Sequence, residues 1–205
     1  DEVFELYSVP VAGGSPLKLS GALVAGGDVI DLHVTADGTR ALFLADAVVD
    51  GRQEFFGVPT DGSTAPVALD PVPNLEPVTH SWLKPDGTHL FFTRRQIVAS
   101  PPFGLPAYRD TLYALDLLSP NRVELAKAHF STNFFVQPFG SSFQDLRITP
   151  DGQRIVFTDY VEGEDGPDEI VLRSTAIDGT QTPVTLSQGT SNFELPYQVV
   201  PTGRV

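Results

Sequence analysis

The sequence predicts an all-β fold of repeated four-stranded antiparallel sheets, and three observations predict it. A turn signature recurs as "TADG" at 35–38, "KPDG" at 84–87 and "TPDG" at 149–152, with a weaker "VPTG" at 200–203. A second turn repeats in phase at Gly13-Gly14, Asp61-Gly62, Ser119-Pro120 and Asp178-Gly179, and each leads into a short strand ending in Leu19, Leu69, Leu125 or Leu186. Finally, 18 Gly and 18 Pro are spread along the 205 residues. Almost no stretch of ten residues is left for an amphipathic helix. The third residues of the first turn set fall at Asp37, Asp86, Asp151 and Thr202, spaced 49, 65 and 51 residues apart. That is the period of a β-propeller blade with loops of varying length.

Each element follows from local chemistry. Proline at the second turn position presets φ for a type I turn, aspartate suits the third, and glycine accepts the positive φ that follows. Apolar runs flank each turn, so each reads as a tight hairpin. The first complete unit has strands at 29–34, 40–44, 54–59 and 66–69. The second has strands at 78–83, 89–93, 111–116 and 122–125, and the third at 145–148, 154–158, 170–175 and 184–186. Residues 1–20 supply only the third and fourth strands of a blade, and 194–205 only a first strand and the start of a second. The expected domain is a single propeller, or propeller segment, over 1–205: blades at about 26–70, 75–126 and 142–187 between two partial blades.

The repeat resembles that of the TolB-like β-propeller family. The matching residues are Pro85-Asp86-Gly87 with Phe91-Phe92, Pro150-Asp151-Gly152 with Ile155-Val156-Phe157, and the third-strand pairs Leu6-Tyr7 and Leu112-Tyr113. The resemblance spans nearly the whole chain and is specific for fold rather than function, because propellers host many unrelated roles. It implies closure by a blade built from both chain ends. The two partial blades are then either part of a larger propeller, halves of a small ring, or edges completed by a neighbouring copy.

Composition narrows the partners. A net charge of -13 argues against nucleic acid and anionic membranes, while permitting cations or basic partners. No apolar run is long enough for a membrane-spanning helix, and no signal peptide is recognisable. Cysteine and methionine are both absent, even at position 1. This fits a processed or cut chain in an oxidising compartment, so the expected location is secreted or periplasmic. Without cysteine there is no disulfide frame and no thiolate metal site.

Candidate sites are few. The nucleophile-elbow, zincin, P-loop and dinucleotide motifs are missing, so no catalytic residue is assigned. The acidic segment "DYVEGEDGPDE" offers Glu162, Glu164, Asp165 and Asp168 as oxygen ligands for calcium, although the spacing is not that of an EF-hand. Calcium is the one cofactor considered, beside none at all. The insertion over 94–110 carries Arg94, Arg95, Phe103, Tyr108 and Arg109, the arginine-plus-aromatic composition of interface anchors. His33 and His80 occupy nearly matching places in first strands, where a propeller faces its channel. Some lyases of pectin fragments with TolB-like propellers hold metal through channel histidines, but two histidines out of register do not reproduce such a site. Five phenylalanines lie between Phe130 and Phe143 and require either a core or a contact surface.

The function expected is a non-catalytic extracytoplasmic scaffold that binds a protein partner or self-associates through blade edges. Two alternatives stand beside it. One is the propeller portion of a secreted serine peptidase of the prolyl oligopeptidase type, and the other is a propeller-type polysaccharide lyase.

Overall fold

The computed structural model describes residues 2–71, 76–99, 107–119, 121–128, 143–161, 169–190 and 198–199. All regular structure in them is β. The strands are β1 (Tyr7–Ser8), β2 (Leu17–Lys18), β3 (Val29–Val34), β4 (Arg40–Ala45), β5 (Glu54–Pro59), β6 (Val67–Ala68) and β7 (Val78–Leu83). They continue with β8 (His89–Ala99), β9 (Ala107–Asp116), β10 (Asn121–Lys127), β11 (Phe143–Ile148), β12 (Arg154–Val161), β13 (Glu169–Ala176) and β14 (Val184–Thr190). They form one two-stranded sheet, β1-β2, and three four-stranded meanders, β3-β4-β5-β6, β7-β8-β9-β10 and β11-β12-β13-β14. The all-β architecture of four-stranded antiparallel sheets is therefore the one the turns predict.

The turns make the sheets. In the three described turns of the first set the glycine N–H donates to the carbonyl of the residue three before it: Gly38 to Thr35 at 2.8 Å, Gly87 to Lys84 at 2.8 Å and Gly152 to Thr149 at 2.7 Å. The aspartate between them accepts the N–H two residues on, at 3.1 Å from Thr39, 3.0 Å from Thr88 and 3.0 Å from Gln153. Gly87 sits at φ 72°, a conformation that costs a side chain but not glycine.

The chain divides into two compact units. The first contains β1 to β6 together with 83–90 and 115–121. Its core gathers Leu6, Leu19, Ala41, Phe43, Ala45, Phe56 and Val58. Phe43 and Phe56 stack at 5.4 Å, one across from the other in the register of β4 and β5. The second contains 78–82, 91–114 and the chain from Arg122 onward. Its core is centred on Phe91, Leu112, Leu125, Phe143, Ile155 and Phe157. The middle strands β4 and β5 are buried on both faces, which is why they read as continuous apolar runs. By contrast β3 alternates half-buried and exposed positions.

The largest departure from expectation is the insertion after Thr93. It is not a loop from its first residue: β8 runs on to Ala99 and β9 begins at Ala107. Arg94 and Arg95, expected as interface anchors in that insertion, both lie on β8, where Arg94 is 2% exposed and Arg95 pairs with Asp110. The partial blade at the N-terminal end is present as the β1-β2 pair, with Tyr7 opposite Lys18 and Ser8 opposite Leu17. Of the partial blade expected at 194–205, only Gln198 and Val199 lie within the described residues. The phenylalanine-rich connection lies outside them except for Phe143, which is buried.

Candidate functional site: a cleft on the first strands of two sheets

Strand alternation sends His80 and Trp82 to the same face of β7. Their rings stack with centroids 5.7 Å apart and planes 12° from parallel, forming a flat wall. His80 is exposed on its free side. Loss of water on the other side holds the imidazole below its usual pKa, with the Asp110 carboxylate pulling upward and Arg95 downward.

Strand β11 supplies the opposite wall through an irregularity. Gln144 pairs with Thr158 and Arg147 with Val156, so Asp145 and Leu146 together face Phe157 alone. This is a β-bulge. Asp145 takes φ 48°, the one positive φ of a non-glycine residue among those described. Leu146 turns into the core, while Asp145 and Arg147 are left exposed. Phe143, edge-on to Phe157 at 5.3 Å, forms the floor. These residues enclose a cleft of about 270 Å³ lined by His80, Trp82, Phe143, Asp145, Leu146 and Arg147. The cleft offers one flat aromatic surface, one carboxylate and one guanidinium. Those are means of recognition by stacking and charge-assisted hydrogen bonding.

The residues singled out in the sequence are distributed as follows. Arg94 is 2% exposed, with its guanidinium 5.5 Å over the Phe92 ring. Arg95 donates from Nε and Nη2 to the two carboxylate oxygens of Asp110 and lies 5.5 Å over the Tyr108 ring. Arg109 is half-buried. Phe103 lies outside the described residues, as do Glu162, Glu164, Asp165 and Asp168. His33 is half-buried with Nε2 3.5 Å from the Asp31 carboxylate. Among the described residues no group of three or more His, Asp or Glu is placed to hold a metal ion.

Sequence reasoning singles out His80 and Phe143 and misses Trp82, Asp145, Leu146 and Arg147. Trp82, the only tryptophan, is visible there merely as the residue flanking a turn. Asp145 and Arg147, opposite charges two apart on an expected strand, were the available signal for the second wall.

No protein-family model and no curated protein matches the chain. Solved structures do. A puromycin-hydrolyzing peptidase of Mycobacterium tuberculosis aligns at a TM-score of 0.51 with 22% identity, over 87% of this chain and 28% of that one. The fold is that of a β-propeller. A protein assigned as TolB from Agrobacterium tumefaciens aligns at a TM-score of 0.46 with 20% identity, over 91% of this chain and 56% of that one. The β-propeller domain of the Trilobed protease from Pyrococcus furiosus aligns at 0.44 with 11% identity, over 80% and 42%. This chain thus spans between about a quarter and somewhat over half of these three structures. No helix among the described residues is long and apolar enough to cross a membrane.

Proposed function

We propose that the chain is a TolB-like, non-catalytic, extracytoplasmic propeller that holds a protein partner in the cleft between β7 and β11. Asp145 carries this reading. A left-handed backbone costs a non-glycine residue about 1 kcal/mol, less for aspartate than for most, and glycine would remove that cost. A carboxylate held there, beside a stacked aromatic wall and Arg147, supports a recognition role. The absence of both sulfur residues supports the extracytoplasmic location.

The test uses a peptide phage library selected on the immobilised chain. Selected peptides are expected to bind Trp82→Ala and Arg147→Glu at least tenfold more weakly, with Arg147→Glu melting like the parent. Equal binding by all three chains would sink the cleft as the binding site. A second reading, the propeller portion of a secreted prolyl-oligopeptidase-like peptidase, is favoured by the alignment over 28% of the mycobacterial peptidase. Fluorophosphonate labelling of a serine in the natural full-length protein would establish it in place of the first.

A further inference from the structure

The four described sheets end in outer strands of different kinds. β2 and β6 are two residues long, and β2 carries Lys18. β10 is seven residues long but bears Arg122, Glu124 and Lys127. Short length and charged side chains are the usual guards of a sheet edge. β14 is also seven residues long, "VTLSQGT", and has no charged side chain. It pairs with β13 on one side, and among the described residues no strand lies on the other. Val184 to Gln188 are exposed in an unbroken run. Val184 is 52% and Leu186 43% exposed. The sheets' first strands differ: β7 is mostly half-buried, while β3 carries Asp31 and β11 carries Asp145 and Arg147.

We propose that β14 is a strand-addition site for an extended, lysine- or arginine-bearing segment of a partner protein. The proposal rests on the binding-module reading and adds a second surface to it. A row of outward N–H and C=O groups at strand spacing is matched along its length only by another extended backbone. Register limits where that backbone lies. Leu172 pairs with Ser187 and Arg173 with Thr185, so Leu186 has no opposite residue and forms a bulge. The regular row therefore covers 187–190, with the Leu186 side chain as an apolar contact at its end.

Charge selects the occupant. Glu169 stands opposite Thr190, and Asp178 lies in the turn that joins β13 to β14. Two cations of β12 and β13 are engaged: Arg173 Nε is 3.0 Å from the Asp159 carboxylate, and Arg154 donates to Gln181 and Ser174. A second copy of the chain would bring another net charge of -13 to this edge, whereas a basic strand is drawn to it.

Hydrogen exchange on the full chain tests this with the probe acetyl-Lys-Val-Thr-Val-Lys-Thr-Lys-amide and its counterpart with Glu in place of Lys. The basic probe is expected to slow exchange of the 184–190 amides at least threefold and saturably, and the acidic probe to bind at least tenfold more weakly. Ser187→Lys, at an exposed position, is expected to abolish the protection, while Trp82→Ala leaves it intact. The cleft and the edge therefore fail separately. Absent protection, protection at another edge, equal binding of the two probes, or indifference to Ser187→Lys would each overturn the proposal. A doubled mass of the chain alone, with the same amides protected, would assign the edge to a second copy and overturn the basic partner.

Discussion

Arg95 and Asp110, fifteen residues apart in sequence, meet through two parallel hydrogen bonds of 2.9 and 3.0 Å inside the β8-β9 hairpin. Asp110 is fully buried, and the Arg95 side chain is 11% exposed. The pair bridges β8 and β9 within the insertion expected to be a long loop carrying interface anchors.

Removing one partner leaves a buried charge uncompensated. Asp110→Ala is expected to lower stability by about 3 kcal/mol or more, while the double variant Arg95→Met, Asp110→Leu recovers most of the loss. Urea denaturation midpoints of the two variants compare them directly. A double variant no more stable than the single one would show that the pair contributes through something other than charge compensation.

Gly87→Ala is expected to cost about 1 kcal/mol or more, because alanine resists a φ of 72°. Crowding adds to this, since a Cβ there would lie 3.3 Å from Thr35 Cγ2, tighter than ordinary contact. Coincident denaturation midpoints for variant and parent would contradict the turn's role.

Acid should loosen the turns in a defined window. Burial works to raise the pKa of Asp86, but hydrogen bonds from Lys84 and Thr88 outweigh it and push it down to about 2 from 3.8. A carboxylate lowered in the folded state adds stability that is complete above its unfolded pKa and is lost as pH falls through the folded one. Thermal midpoints should therefore decline from about pH 4 towards pH 2, and less steeply in Asp86→Asn. Asp37 and Asp151 shift the same way: hydrogen bonds from Thr35 and Thr39 lower the first, and those from Thr149 and Gln153 the second. A parent and an Asp86→Asn variant with parallel profiles would remove Asp86 from the acid response.

Any calcium affinity is expected to reside in the acidic segment that includes Glu162, Glu164, Asp165 and Asp168. Calorimetry on Asp165→Asn with Asp168→Asn should then show no binding heat. Undiminished heat would exclude the segment.

Much of the fold is legible in the sequence because the deciding chemistry is local. β3 and β7 begin and end where expected because Asp37-Gly38 and Asp86-Gly87 mark the hairpins that follow them. What escapes is chemistry that depends on a distant partner. Nothing near Arg95 announces Asp110, so β8 is expected to stop at Thr93 and instead continues for six residues. The Asp145 bulge exists only relative to Thr158 and Val156 on the neighbouring strand, and a single strand's pattern does not encode it. His80 is legible as a candidate, but its stacking on Trp82 and the wall opposite are products of packing.

Among the described residues every strand of the four-stranded sheets pairs only with its neighbours in the chain, and the first hairpin of each closes through a four-residue turn. Contacts of that kind have short sequence separation, so forming them costs little loop-closure entropy. Because pairing within a sheet does not depend on the order of distant segments, a unit of this length is able to be duplicated or lost without rethreading the rest.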